Sequence, residues 1–187
     1  MVIFLDYNFL MNKLTTPNSN EYAEFYVGYV QRAEARDDVL AALPKQINEI
    51  KSALGNLSDD QALFRDMPKE WSIKEVIGHL NDVERVFSYR LLRVSRNDAT
   101  PLPGFEQDDY VREAGFDEHP LNDLIQEFEY LRSANILAIQ NMSDESSLRV
   151  GTASGNPVSA RALIYMLVGH VDHHMASLRE KYLPGLK

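Results

Sequence analysis

From Ala160 to Tyr182 the sequence carries one helical apolar stripe, Leu163, Leu167, Val171, Leu178 and Tyr182, interrupted by no proline and by the single glycine Gly169. A segment of that kind must bury its stripe against other elements. Within it stand three of the chain's five histidines, His170, His173 and His174. At about 100° per residue, His174 falls inside the stripe, His170 at its edge, His173 further round and Asp172 on the opposite side. His170 and His174 form an i, i+4 pair with Cβ atoms roughly 5–6 Å apart. That spacing lets two imidazoles grip one ion, as on zinc-binding H-E-x-x-H helices. His170 with His173 is also geometrically possible, although that pair points less toward the core.

Two histidines seldom complete a site, so a third ligand is sought elsewhere. His119 precedes Pro120 in a turn, whereas His79 lies on a second amphipathic helix whose stripe is Val76, Leu80, Val83 and Phe87. His79 and His170 each follow a glycine, Gly78 and Gly169. A mid-helix glycine costs about 1 kcal/mol relative to alanine, so the two predict helices brought close together beside a site. The candidate set is His79, His170 and His174, with water at an open position. A lone histidine on an apolar face is more often a hydrogen-bonded core residue than a ligand. The pair plus a third histidine at the edge of another stripe tips that balance toward metal.

Composition narrows the chemistry. The chain has no cysteine, which excludes thiolate ligands, disulfides and a cysteine nucleophile, and leaves histidine and carboxylate as metal donors. A net charge of −9 without a Lys/Arg cluster argues against nucleic acid or an anionic membrane as partner. No segment reaches 18 uncharged apolar residues, the length that reads as a membrane span. The expectation is a soluble, cytoplasmic protein, to which the lack of cysteine is compatible. The opening Met1 to Leu10 is apolar but too short to span a bilayer and lacks a basic start; it reads as an upstream extension.

In chain order, residues 1–36 read as an N-terminal arm, extended over 12–36 and aromatic at Tyr22, Phe25, Tyr26 and Tyr29, and 37–187 as one helical domain. A first helix is predicted from Asp38 to Leu54, with Pro44 requiring a start near Ala41 or a kink. Ser72-Ile73-Lys74-Glu75 is a capping box opening a second helix to about Arg96. Trp71 before it reads as a staple, with a pocket-mouth role as the lesser alternative. Glu75 is engaged by the cap. Asp82, one turn after His79, is either a carboxylate orienting a ring or a solvated acid. A long connection, Asn97 to Pro120, is of the length that usually carries function, and is expected to fold over the bundle end and line a pocket. A third helix covers Leu121 to Asn141; Gly151 to Pro157 reads as a loop into the fourth. No strand is expected, and the prediction is an all-α four-helix bundle able to hold metal ligands from facing helices.

Residues Trp71-Ser72-Ile73-Lys74-Glu75-Val76-Ile77-Gly78-His79-Leu80, the loop Thr100 to Phe105, and Val158 to Leu163 leading into Gly169-His170-Val171-Asp172-His173-His174 resemble the DinB-like superfamily over about 38–183. That superfamily takes in damage-inducible proteins, metal-dependent hydrolases of the YfiT type and metal-dependent thiol transferases. The resemblance implies a bundle of up-down-down-up type, often a homodimer, with a three-histidine site for a divalent ion, usually zinc or nickel. Carried over by position, the ligands are His79, His170 and His174. Where many relatives have Glu after the first Gly-His of helix four, this chain has Val171, expected outside the ligand shell.

The expected function is that of a metal-dependent enzyme activating water or a low-molecular-weight thiol, a hydrolase or thiol S-transferase acting on a small molecule. Its catalytic residues beyond the ion are not assigned. The alternative is a non-catalytic metal-binding stress-response bundle or interaction module. Arg90, three turns beyond His79, can pair with an anionic substrate, though a helix-end salt bridge is the commoner fate; Tyr110 can reach the pocket from the long connection.

Overall fold

A computed structural model describes residues 14–186; the apolar opening Met1 to Leu10 lies outside the described residues. Two short 3-10 turns, Ser19–Glu21 and Glu24–Tyr26, precede α1 (Val27–Glu34) and α2 (Val39–Leu54). Then come α3 (Asp59–Ala62), α4 (Ile73–Ser95), α5 (Gln107–Ala114), α6 (Leu121–Gln140) and α7 (Asp144–Ser147). A hairpin, β1 (Val150–Ala153) and β2 (Asn156–Ser159), leads into α8 (Ala160–Ser177). The long helices α2, α4, α6 and α8 are the four expected, and they form the bundle. No described helix is long and apolar enough to cross a membrane.

Side-chain pairs give the helix directions. Asn81 with Leu124, Arg85 with Glu127 and Ser88 with Asn135 advance together, so α4 and α6 are parallel. Gln46 with Val168 and Glu49 with Arg179 likewise make α2 and α8 parallel. Gln46 with Arg132 and Lys51 with Glu129 run oppositely, so α2 opposes α6. This is the up-down-down-up order. Because α4 and α6 point the same way, their connection must return along the whole bundle instead of capping one end, which is why 24 residues are needed between Ser95 and Pro120.

That connection is more ordered than a loop. Leu102 bonds to the hairpin, its N–H to the Thr152 carbonyl (2.9 Å) and its carbonyl to the Ser154 N–H (3.0 Å). α5 follows, ends at Gly115 in the left-handed region (φ 65°), and delivers Phe116 against Gly78. Of the eight residues of α5 only Val111 is buried, too little apolar repeat to be visible in sequence.

Two further expectations are corrected. The segment read as an extended arm folds at 27–34 into α1, which buries Val30 and Ala33 against the core. The stretch 151–157, read as a loop, is mostly hairpin, its turn made by Ser154 (φ 51°) and Gly155 (φ 76°), the positive-φ pair that suits a two-residue connection. α2 (Val39–Leu54) keeps the bounds expected of it, because Asp38 caps the Leu40 and Ala41 N–H groups, and it carries Pro44 inside without the later start near Ala41. The fourth helix leaves α geometry after Ser177 and closes as a π turn, Leu178–Tyr182.

One polar chain links all four long helices through the core. Arg132 of α6 (0% exposed) pairs with Glu84 of α4 (2%) at 2.8 Å through both Nε and Nη2. Its Nη1 donates to Gln46 Oε1 of α2 (2.6 Å) and its Nη2 to the Leu167 carbonyl of α8 (3.0 Å). Gln46 Nε2 in turn donates to the Val168 carbonyl and to Asp172, both at 2.8 Å, and Asn135 donates to Glu84 (2.7 Å). Removing one member of a buried pair leaves the other charge uncompensated. Arg132→Met is therefore expected to cost about 3–5 kcal/mol in urea unfolding, and adding Glu84→Leu to recover much of it. Equal losses in the single and double variants would show that the two residues do not act as counter-charges.

Candidate metal centre

The Ser72 capping box works as its sequence predicts: Ser72 Oγ accepts from the Glu75 N–H (3.0 Å) and Glu75 accepts from the Ser72 N–H (2.8 Å). It starts α4 so that His79 arrives on the face turned to α8. There it meets His170 and His174, stacked one turn apart. Ring centroids are 4.9 Å apart for His79–His170, 4.9 Å for His79–His174 and 4.6 Å for His170–His174. The Nε2 atoms of His79 and His170 face each other at 3.0 Å, and one ring nitrogen from each of the three lies within 4.8 Å of the others. Nitrogens held tetrahedrally at 2.0–2.1 Å from zinc are about 3.3 Å apart. The set fits a divalent ion with a small closure of its widest pair.

Burial sets the charge state. His79 is 1% exposed and His170 4%. Desolvation, reinforced by the nearby His173, pushes His79 down to about 4. His170 and His174 lie well below the ordinary imidazole value, again chiefly through burial and then through neighbouring histidines, with the Arg132 charge adding to the effect on His170. At neutral pH all three rings are uncharged and keep a lone pair for a metal.

His174, half-buried, carries the group to the wall of a cavity of about 540 Å³. Lys69, Glu70 and Trp71 line it from the approach to α4, Gln107 and Asp108 from α5, and His173, Ser177 and Tyr182 from the end of α8. Trp71 stands 4.7 Å from His79, tilted by 49°, and nearly parallel to His174 at 6.4 Å. It packs on the core as a staple would, yet the pocket role held as the lesser alternative is the one its neighbours define.

Other residues singled out in the sequence fall elsewhere. His173 stands edge-on to His174 (5.0 Å) and tilted to Tyr29 (5.4 Å) without joining the three. His119 sits against Phe116. Asp82 makes no hydrogen bond to His79 among the described residues, and desolvation pushes its carboxyl up. Arg90 makes no helix-end salt bridge among the described residues; it is buried and donates to the Pro103 carbonyl (2.9 Å) and Ser154 Oγ (3.0 Å), tying the long connection to the hairpin. Tyr110 is turned to Phe105 and misses the cavity, which its neighbours Gln107 and Asp108 line instead. Val171 packs in the core. The paired glycines do not bring α4 and α8 together. A Cβ on Gly78 would meet the Phe116 ring at 2.3 Å, and one on Gly169 the Tyr29 carbonyl at 1.8 Å. Gly169 thus admits the backbone of α1, which places Tyr29 on His170 (5.3 Å). Gln107 and Asp108 belong to the long connection that was expected to line a pocket, and they do; nothing in the spacing of Tyr29 or Ser177 marked those two as neighbours of the site.

Residues 31–178 match a family model described as the DinB superfamily. Among solved structures, YfiT from Bacillus subtilis, described as a probable metal-dependent hydrolase with an unusual four-helix bundle topology, superposes with a TM-score of 0.66 at 14% identity, covering 94% of this chain and 95% of that one. A mycothiol-dependent maleylpyruvate isomerase superposes with a TM-score of 0.63 at 15% identity over 75% of this chain, which spans 59% of that protein. No curated protein matches by sequence.

The neutral histidines make the metal-free protein acid-sensitive. Their folded values are depressed, so from pH 6.5 downward the unfolded chain binds protons that the folded one refuses; stability is complete above 6.5 and is lost toward about 4, where folded His79 protonates. The melting temperature of metal-stripped protein should fall from pH 6.5 to 5, and His79→Leu should flatten that slope. A constant melting temperature across the window would contradict the assigned charge state.

Proposed function

The chain belongs to the DinB superfamily, and from that premise we propose that it is a metal-dependent enzyme whose His79, His170 and His174 hold one divalent ion, zinc or nickel, beside the cavity that receives a small-molecule substrate. The observation that carries this reading is the conjunction of three neutral imidazoles within ligand distance of one another with an open cavity at His174. Imidazole donors suit both metals. An ion bound by three histidines acts as a Lewis acid, lowering the pKa of water toward about 7 or favouring deprotonation of a thiol. Hydrolysis and transfer of a low-molecular-weight thiol then share one physical origin. The two structural neighbours, a probable hydrolase and a thiol-dependent isomerase by their descriptions, agree with that span of chemistry.

The chain's own residues supply the rest. Burial keeps the three rings unprotonated. Trp71, Val76 and Leu178 give the cavity apolar surface, while Gln107, Asp108, Ser177 and His173 offer polar groups to orient a substrate. A purely structural ion is the second reading. The Arg132–Glu84 pair and the apolar core already join the four helices, which favours an ion placed for chemistry.

Elemental analysis of the purified protein should find one divalent ion per chain, and none in His79→Ala or His174→Ala. Because Trp71 is the sole tryptophan and adjoins two of the three histidines, added Ni²⁺ should quench the intrinsic fluorescence of metal-stripped protein and leave that of both variants unchanged. Chelation should abolish hydrolase or thiol-conjugating activity while the helical circular-dichroism signal persists. Melting of the bundle on chelation would favour the structural reading; the absence of stoichiometric metal after growth in supplemented medium would overturn both.

A further inference from the structure

Trp71 is held more firmly than a residue at the end of a loop ordinarily is. Its two chain neighbours are fixed by one polar clamp. Arg65 donates to the Glu70 carbonyl (2.8 Å), to Glu75, and to Asp117 Oδ2 (2.6 Å). Ser72 Oγ donates to Asp117 Oδ1 (2.5 Å), and the Ile73 N–H donates to the Phe64 carbonyl (3.2 Å). The backbone from 70 to 73 is therefore bound both to the segment before it and to the long connection after α5. A side chain whose backbone is anchored in this way presents a fixed face.

That face is an indole beside two of the three histidines, tilted on His79 and nearly parallel to His174 with 6.4 Å between ring centroids. It shares the cavity wall with His174. The charged members of the wall, Lys69, Glu70 and Asp108, are exposed, and long exposed side chains discriminate weakly because ordering them costs entropy. Tyr182 is the other aromatic in the wall, and its ring is engaged edge-on with Phe64. Of these two, Trp71 is the one that lies beside the histidines.

We propose that Trp71 is a specificity-determining residue, selecting substrates that carry a planar unsaturated group next to the atom that approaches the three histidines. This rests on the metal-dependent reading above, since it is the ion that brings that atom to the site. Stacking between aromatic groups adds to what burial of area gives, and amounts to about three- to tenfold in affinity.

The test uses cobalt-loaded full-length protein and two probe thiols of similar size, benzenethiol and cyclohexanethiol, whose binding, with release of the thiol proton to buffer, is read from the cobalt charge-transfer absorption. The two differ in acidity, so the quantity compared is the ratio of their dissociation constants in wild type against that in Trp71→Leu; acidity cancels in this double difference. The ratio should move about three- to tenfold toward cyclohexanethiol in Trp71→Leu, and Trp71→Phe, which keeps a ring, should restore most of the preference with cobalt affinity unchanged in both. Should Trp71→Leu fail to fold, zinc-loaded wild type decides: with each thiol raised to saturation, so that their acidities no longer matter, benzenethiol must shift the Trp71 emission and cyclohexanethiol must not. Cobalt and thiol binding with an unchanged ratio, or equal emission responses, overturns the role of Trp71 and leaves the metal site standing. Failure of wild type to take up cobalt overturns the functional reading and this inference together.

Discussion

The buried pair between Arg132 and Glu84 is the constraint on which the arrangement rests. A guanidinium with no exposure must find acceptors inside the protein. It makes four hydrogen bonds, to three other helices at once: two to the Glu84 carboxylate, one to the Gln46 amide oxygen and one to the Leu167 carbonyl. Each partner is then fixed along its own axis. Gln46 extends the chain to the Val168 carbonyl and Asp172, so α8 is gripped at two successive carbonyls just before Gly169. A shift of α8 by one residue would break several of these bonds together, whereas an apolar interface alone would tolerate it more easily. The pair thereby fixes which residues of α8 face α4, and His170 and His174 are those residues.

Holding three imidazoles in one dry place has an energetic cost that grows as the solution becomes acidic, because none can take a proton without losing solvation. On the proposed reading that cost is offset when the rings serve as donors for a cation. The packing around the rings is uneven. Gly169 lets α1 approach so closely that Tyr29 covers His170 from one side, and Phe87 covers it from another (6.1 Å). His174 is left at the cavity. One member of the set is thus presented to solvent while two are sealed, the asymmetry expected of a site that exchanges a ligand rather than one that only pins helices.

Much of this was legible in the sequence because its signals are local and periodic. The i, i+4 histidines, the stripe around His79 and the capping box at Ser72 each rest on short-range helical geometry, and the four long helices lie near their expected bounds. The elements that escaped, α1, α5 and the hairpin, are short and owe their form to tertiary contacts: α1 to the space above Gly169, α5 to anchors at Leu102 and Phe116, the hairpin to its pairing with Leu102. The glycines were recognised as marks of close approach, but the approaching elements were α1 and Phe116, not the two histidine helices. Arg90 departs from both roles expected of it for the same reason, since the groups it binds, the Pro103 carbonyl and Ser154 Oγ, come from distant loops. Where a helical side chain points can be read from its spacing, whereas what a distant loop brings to meet it cannot.

The central claim is that three imidazoles from two helices share one cation. X-ray absorption at the zinc edge of protein loaded with one equivalent of zinc measures this directly. The account predicts three imidazole nitrogens at about 2.0–2.1 Å with one further light donor. A spectrum with fewer than two imidazoles, or one unchanged by His170→Ala, would contradict it.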